Sequence, residues 1–494
     1  MIRKFLIPLA VFAASMLSAE TLIDSKFDRN AANWYALRNF GTLRHDADNA
    51  ALHITVNSAG ECRIANWKRI TPDMCAGKVI KLTAQVRGSG EITPVFVMTV
   101  NSASGGRSYP RFAGTPVRLQ SDTFTTVEFS LDLASHTPLA IEPRFELKGT
   151  NAEAYFSSVK CETAVIKTVK LESDFSYIAF PAGQSGASFR IAGEVSSSLQ
   201  LFYNNQNREI ATDADGSAVI PAAGDGLIRY TVAGNGKSIQ LFSEAVAPAE
   251  FAALMQAAGN SKLPQGSKVL VLGDSLSDFE RGRNYVDQLT FYLNSAGNGE
   301  KITFYNFGIG GDDIRRVTRR FIHHFDPKTP DEYFQKRYQG IDSVKYDYVM
   351  IFLGQNDTKA SSQSNYRTTF VAPAEQLSSY RRLLPELKRR FPEAKIILIS
   401  PIHTDSARQN AIAEVILQRR DNVWKFGVEE HMERYDAMLK NLAGESGAFY
   451  IDLYTPSKNH PSRSTLFQSA DGVHLSPAGE RFVTLQILLA LQHI

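Results

Sequence analysis

The stretch Lys268-Val-Leu-Val-Leu-Gly-Asp-Ser-Leu-Ser277 decides the architecture of the C-terminal half of this chain. Its first half is a short, unbroken apolar run without polar alternation, the pattern of a strand buried on both faces. Its second half breaks at once into Gly, Asp and Ser, which is loop chemistry. Four more runs of the same kind follow, at Ile302–Asn306, Tyr348–Leu353, Lys395–Ser400 and Ala448–Asp452. Helical patterns separate them, so residues 265–494 are expected to form an α/β domain on a five-stranded parallel sheet. The last helix is well marked. Ser476 is a natural N-cap, Pro477 suits the first helical position, and apolar residues continue to Leu491.

Upstream of this domain the texture is different. Ala51–Val56, Val79–Val86 and Thr125–Asp132 alternate apolar and polar residues between Gly-, Asn- and Ser-rich breaks. That pattern predicts a β-sandwich or jelly roll over 20–165. A second β-rich stretch over 166–247, with strands expected at Ser188–Ile191, Leu199–Tyr203 and Leu227–Val232, reads as a smaller sandwich. Residues 248–264 read as a linker carrying a short helix. The first nineteen residues read as an export signal. Arg3 and Lys4 precede an uncharged run from Leu6 to Leu17, and Ser18-Ala19 suits cleavage before Glu20. The run is shorter than the ~20 residues that span a bilayer, so no span is expected in the mature protein. A periplasmic or extracellular location follows.

Composition narrows the function. Of the 494 residues 43% are apolar and 21% charged, which excludes a disordered, collagen-like or polytopic membrane chain. The 54 Lys and Arg against 51 Asp and Glu leave a net charge of +3, too weak and diffuse for a nucleic-acid footprint. Cys62, Cys75 and Cys161 are too few for a disulfide scaffold or a four-cysteine metal site. In an oxidising compartment they allow one disulfide, of open pairing, with one thiol left over.

Ligands of open parallel sheets bind beyond the carboxyl ends of the strands. After the first strand comes Gly273-Asp-Ser-Leu-Ser277, and after the second Asn306-Phe-Gly-Ile-Gly-Gly-Asp312. After the third comes Gly354-Gln-Asn-Asp357, and before the last helix Asp471-Gly-Val-His474. A serine hydroxyl is a poor nucleophile near neutral pH and needs an adjacent base. His474 is placed to be that base, and Asp471 to fix its tautomer and stabilise its charged form. The N–H groups of Ser275 and Gly311 and the Asn356 side-chain amide are expected to form an oxyanion hole. Asp274 and Asp357 are expected to brace loops.

These four blocks resemble those of the SGNH hydrolases, also called GDSL esterases, at Ser275, Gly311, Asn356 and the Asp471/His474 pair. The resemblance covers about residues 265–494. Asn306–Asp312 looks like the second block of the platelet-activating-factor acetylhydrolase branch. The resemblance implies a flavodoxin-like strand order 2-1-3-4-5 and a serine esterase. No Gly follows Ser275 at the spacing of a Gly-x-Ser-x-Gly elbow, which argues against the separate α/β-hydrolase fold. Export, accessory β domains and this catalytic domain together resemble multidomain carbohydrate acetylesterases. An acetylated carbohydrate is therefore the expected substrate. A lysophospholipase or thioesterase, and a non-catalytic glycan-binding protein, are the alternatives.

Other residues carry weaker expectations. Arg315, Arg316, Arg319 and Arg320 form a basic stripe at helical spacing, either a paired solvent face or a contact to an anionic substrate. Trp424 lies in the insertion between the fourth and fifth strands and could stack on a sugar or pack in the core. Trp34 and Trp67 pose the same choice in the first β domain. Adjacent His323 and His324 diverge on a helix, so no metal site and no cofactor is expected.

Overall fold

The computed structural model describes residues 21–494, apart from 72–73, 75–78, 103–105, 134–137, 165, 172–174, 183–187, 193–197, 204–205, 213–215, 222–225, 298 and 323–337. The expected export signal, Cys75 and the His323-His324 pair lie outside the described residues. Two compact units divide the chain. The first comprises residues up to 174 together with 182–239, and the second 175–181 together with 240–494.

The first unit is largely β. One six-stranded antiparallel sheet runs in the order Thr125–Asp132, Val79–Gly88, Glu153–Ala164, Ala51–Thr55, Thr42–Asp46, with Thr21–Lys26 also paired to Glu153–Ala164. A seven-stranded sheet runs Val117–Arg118, Glu91–Asn101, Ala140–Lys148, Glu61–Asn66, Trp34–Ala36, and Arg107–Ser108 and Arg111–Ala113 add to Glu91–Asn101. Strand side chains alternate between faces, so each sheet can give one face to a shared core. Leu82, Val86, Phe156 and Val159 from the first sheet join Ile64, Phe96, Phe145 and Leu147 from the second in one buried cluster. Cys62 and Cys161 are both buried in it, and no disulfide joins the two. Burial pushes the Cys62 thiol up to about 12. The later strands Ser188–Ala192, Ser198–Tyr203 and Gly226–Gly234 cover the three runs expected there.

The second unit is the α/β domain. Its sheet strands are β1 Lys268–Gly273, β2 Thr303–Asn306, β3 Tyr348–Phe352, β4 Lys395–Ile399 and β5 Phe449–Ile451. They lie in the order β2-β1-β3-β4-β5, and every pairing is parallel. This is the 2-1-3-4-5 order. Residues Val269–Leu272 and Tyr348–Phe352 are buried on both faces, which is why they read as continuous apolar runs. One face carries Leu270, Leu272, Val349, Ile351 and Leu398. It packs with Val317 and Phe321 of the helix Ile314–Ile322, Leu383 and Leu387 of Pro373–Arg390, and Leu439 of Glu429–Ser446. The final helix runs Pro477–Ala490, with Gly479 N–H donating to the Ser476 hydroxyl at 3.1 Å.

The segment expected as a linker is a twelve-residue helix, Pro248–Gly259, with Leu254, Ala257 and Ala258 buried. Upstream of it, Phe175–Pro181 pairs in parallel with residues 240–246. Both strands are anchored to the final helix by a buried polar group. The Tyr177 hydroxyl donates to Glu244 at 2.5 Å, and Arg481 donates to Glu244 and, at 2.8 Å, to Glu250. The Glu244 side chain is only 3% exposed. Breaking a buried ion pair from one side leaves an uncompensated charge at a cost of about 3–5 kcal/mol. Arg481→Met is therefore expected to lower the stability of this unit by about that amount in urea denaturation. Adding Glu244→Gln to Arg481→Met should restore most of the loss.

Candidate active site

Four loops meet at the carboxyl edge of the parallel sheet. The first leaves β1 at Gly273, where an added Cβ would lie 2.1 Å from Ser277 Oγ. Asp274 caps the next turn, its Oδ1 accepting from Leu276 N–H at 3.0 Å. That cap sets the short helix Ser275–Asp278 and puts Ser275 at its first position.

The second loop is tied to the first. Asn306 Nδ2 donates to Ser277 O at 2.6 Å, and Gly310 N–H to Asp278 Oδ2 at 2.9 Å. Arg281 donates to the carbonyls of Asn306 and Gly308, both at 3.0 Å. The loop ends at Gly311, which holds φ +80, a left-handed conformation that favours glycine.

The third loop turns at Gly354, φ +123, where a Cβ would lie 2.7 Å from the Tyr435 ring. A short helix Gln355–Thr358 follows. Asn356 Nδ2 donates to Asp312 O at 3.0 Å, and Asp357 Oδ1 accepts from Ile314 N–H at 3.1 Å. The third loop thus holds the second.

The fourth loop closes the site. Asp471 Oδ1 accepts from the N–H groups of Val473 at 2.8 Å and His474 at 2.9 Å. Its Oδ2 lies 2.6 Å from His474 Nδ1, and His474 Nε2 lies 3.0 Å from Ser275 Oγ. With Nδ1–H donating to the carboxylate, Nε2 is left with a lone pair toward the serine. Burial works against ionisation of Asp471, but the bonds from His474 and the two N–H groups prevail and hold it below its usual range. The Phe279 ring lies against the imidazole at 4.9 Å and 29°. Among the described residues the N–H groups of Ser275 and Gly311 spend no hydrogen bond within the protein. The second proton of Asn356 Nδ2 is likewise uncommitted beyond its bond to Asp312.

Ser275, Asp471 and His474 are therefore brought into one relay, with Gly311 and Asn356 on loops bound to each other through residue 312. The arginine stripe divides. Arg320 is bound to the buried Asp312, at 2.9 Å through Nη2. Arg315 donates to Asp313 at 3.2 Å and lies 5.0 Å over the Phe370 ring. Half-exposed Arg316 donates to Gly311 O at 3.3 Å, beside the site, while Arg319 is exposed. Trp424 is 38% exposed, edge-on to Phe370 at 5.2 Å, in a ladder with Ala360–Ser361.

Two residues escaped the sequence reading. Phe279 is one. Lys359 is the other, and its Nζ donates to Asn356 Oδ1 at 3.3 Å. An ammonium only donates and a carbonyl only accepts. With Lys359 on one side and Asp312 O on the other, the Asn356 amide has a single allowed orientation, NH₂ toward Asp312 O and carbonyl toward Lys359. The ammonium sits 4.1 Å from the Phe370 centroid. Burial lowers its pKa against the pull of Asp313. The signal was the three-residue spacing from Asn356 within one helical turn.

Residues 271–482 match the family model for the GDSL-like Lipase/Acylhydrolase family. The chain is similar to the isoamyl acetate-hydrolyzing esterase of Schizosaccharomyces pombe, 24% identical over 227 residues, or 46% of this chain and 75% of the relative. It is 23% identical over 244 residues to the acetylxylan esterase of Geobacillus stearothermophilus, covering 46% of this chain and 94% of the relative. A crystal structure of the lipase/acylhydrolase from Enterococcus faecalis aligns with 46% of this chain and 95% of its own, at 20% identity and a TM-score of 0.34.

Losing one oxyanion donor typically costs about 10²–10³ in kcat. Asn356→Ala is expected to show that loss on p-nitrophenyl acetate with KM little changed, and Asn356→Asp at least as much. A rise in KM alone would assign Asn356 to ground-state binding. A hydrogen bond to a charged group contributes about 1.5–3 kcal/mol, so Lys359→Met should lower kcat roughly 10- to 100-fold. Lys359→Arg, which still donates, should recover part of it.

Proposed function

We propose that this chain, which carries a GDSL-like lipase/acylhydrolase domain over residues 271–482 and is a carboxylic ester hydrolase, is an exported serine esterase that removes O-acetyl groups from poly- or oligosaccharides. The single observation that carries the reading is the continuous relay from Asp471 through His474 to Ser275, at 2.6 and 3.0 Å. Ser275 Oγ attacks the ester carbonyl as His474 Nε2 takes its proton, and Asp471 stabilises the imidazolium. The carbonyl oxygen becomes an anion held by the N–H groups of Ser275 and Gly311 and by Asn356 Nδ2. His474 returns the proton to the departing sugar oxygen as the ester C–O bond breaks, leaving an acetyl-serine and the free sugar hydroxyl. Water, deprotonated by His474, then attacks the acyl carbon, and His474 returns that proton to Ser275 Oγ as acetate leaves.

The choice of acetate is supported by the relatives, one named for isoamyl acetate and one for acetylxylan. The choice of carbohydrate rests on acetylxylan and on the β-rich first unit. Export rests on the sequence of residues 1–19, and among the described residues no helix is long and apolar enough to cross a membrane.

The test is acetate release from a panel of native acetylated polysaccharides, set against long-chain acyl esters and thioesters. Release should be fastest from an acetylated glycan, vanish in Ser275→Ala, persist in chelator and be blocked by an organophosphate bound to Ser275. Preference for long acyl chains would replace the carbohydrate reading with a lipid-type esterase. Loss in chelator restored by zinc would overturn the serine mechanism.

A further inference from the structure

The two tryptophans of the first unit have opposite fates. Trp34 is 3% exposed and its Nε1 donates to Ser25 Oγ at 3.1 Å, so it is core. Trp67 is 69% exposed, and its ring stacks on Tyr35 at 4.2 Å and 22°. A large flat apolar surface left in water costs free energy unless something covers it.

The surroundings say what kind of ligand would. Tyr35 pairs with Ala65, Ala65 with Arg144, Arg144 with Val95 and Val95 with Ala113, so this row crosses the seven-stranded sheet from one strand to the next. None of these residues belongs to the core cluster, whereas their alternates Trp34, Ile64, Phe145 and Phe96 do. The row is therefore on the face turned away from that cluster; Ala65 and Val95 in it are fully buried, while Tyr35 and Arg144 are part-exposed and Ala113 is exposed. The same face carries three ion pairs, one of them Arg63 with Glu61 at 3.3 Å. Arg144 Nε donates to Glu142 at 2.5 Å, and Arg111 forks onto the buried Glu146 at 3.0 and 2.8 Å. From the strand of Tyr35 to that of Arg111 is four inter-strand steps, roughly 19 Å.

We propose that this face binds a neutral polysaccharide chain, with exposed Trp67, braced from behind by Tyr35, stacking on one sugar ring and the Arg–Glu pairs hydrogen-bonding the hydroxyls of its neighbours. A pyranose ring offers an apolar C–H face and a rim of hydroxyls that both donate and accept. The protein face matches it, a flat aromatic pair beside fixed donors and acceptors. The three arginines of these pairs face three glutamates, so the pairs carry no net charge to complement a polyanion or a cationic peptide. The polar rows leave no broad apolar patch for a lipid surface. The identity of the polysaccharide as the esterase's own substrate rests on the reading above; the binding face does not.

The test uses the full chain with Ser275→Ala, so that ligand is not consumed. Affinity electrophoresis is run through gels carrying native or chemically deacetylated polysaccharides from the same panel. Retardation should occur in at least one neutral polysaccharide, and adding Trp67→Ala should weaken binding at least about tenfold. Trp67→Phe, which keeps a flat ring, should retain part of it. The bound polysaccharide should shield Trp67 fluorescence from iodide. Retardation unchanged by Trp67→Ala, or none in any gel, would overturn the proposal. Hydrolysis by the Ser275 chain is read separately. Binding without hydrolysis would fault only the esterase reading, and hydrolysis without Trp67-dependent binding only this one.

Discussion

His474 Nε2 lies 3.0 Å from Ser275 Oγ although the two residues are 199 apart in sequence. Parallel strands make that contact possible. When every strand runs the same way, all the loops that leave their carboxyl ends emerge on one edge. The loops must still be held in register with each other, and here hydrogen bonds between them add to the burial of Ile309 and Leu353 in the core. Asn306 and Arg281 join the first loop to the second, Asn356 and Asp357 join the second to the third, and Asp471 fastens the fourth to its own histidine. Two of these side chains, Asn356 and Asp471, are also ones that would do chemistry. Positioning and catalysis therefore share those two groups, and a substitution at either is felt by its neighbours.

The same edge concentrates carboxylates. Asp274, Asp312, Asp313 and Asp357 are all buried. Full ionisation of all four would oppose an anion forming nearby. Two features reduce that opposition. Burial pushes Asp274 up to about 7 and Asp357 well above its usual range, and Oδ2 of each lacks a hydrogen-bond partner among the described residues. Asp312 and Asp313 are instead matched by Arg320, Arg315 and Arg316. Lys359 adds a further positive charge behind Asn356. Of the arginine stripe, which the sequence left open between a paired face and a substrate contact, Arg315 and Arg320 enter this internal balance, and half-exposed Arg316 sits beside Gly311.

The two units differ in how they use polar residues. In the second, Glu244, Arg481 and Tyr177 form a buried group that ties an upstream strand pair to the last helix. In the first, several ion pairs lie on the outer face of a sheet whose inner face is largely apolar. A sheet face that is ordered, polar, charge-balanced and bordered by exposed aromatic rings is arranged for a ligand that is itself flat on one side and polar at its rim.

Much of this was legible in the chain itself. The five short apolar runs marked the five strands to within one or two residues, because the central strands, buried on both faces, have no alternating pattern to confuse them with surface strands. Ser275, Gly311, Asn356 and the Asp471/His474 pair stood out because each follows a strand or precedes a helix in a parallel fold. Ser476 and Pro477 marked the last helix by local capping chemistry alone. Lys359 and Phe279 did not stand out, because their roles depend on partners brought close by loops rather than by periodicity. Trp34 and Trp67 could not be told apart either. Sequence alternation places a residue on one face or the other of a strand, but which face meets a second sheet and which meets water is decided only when the two sheets pack.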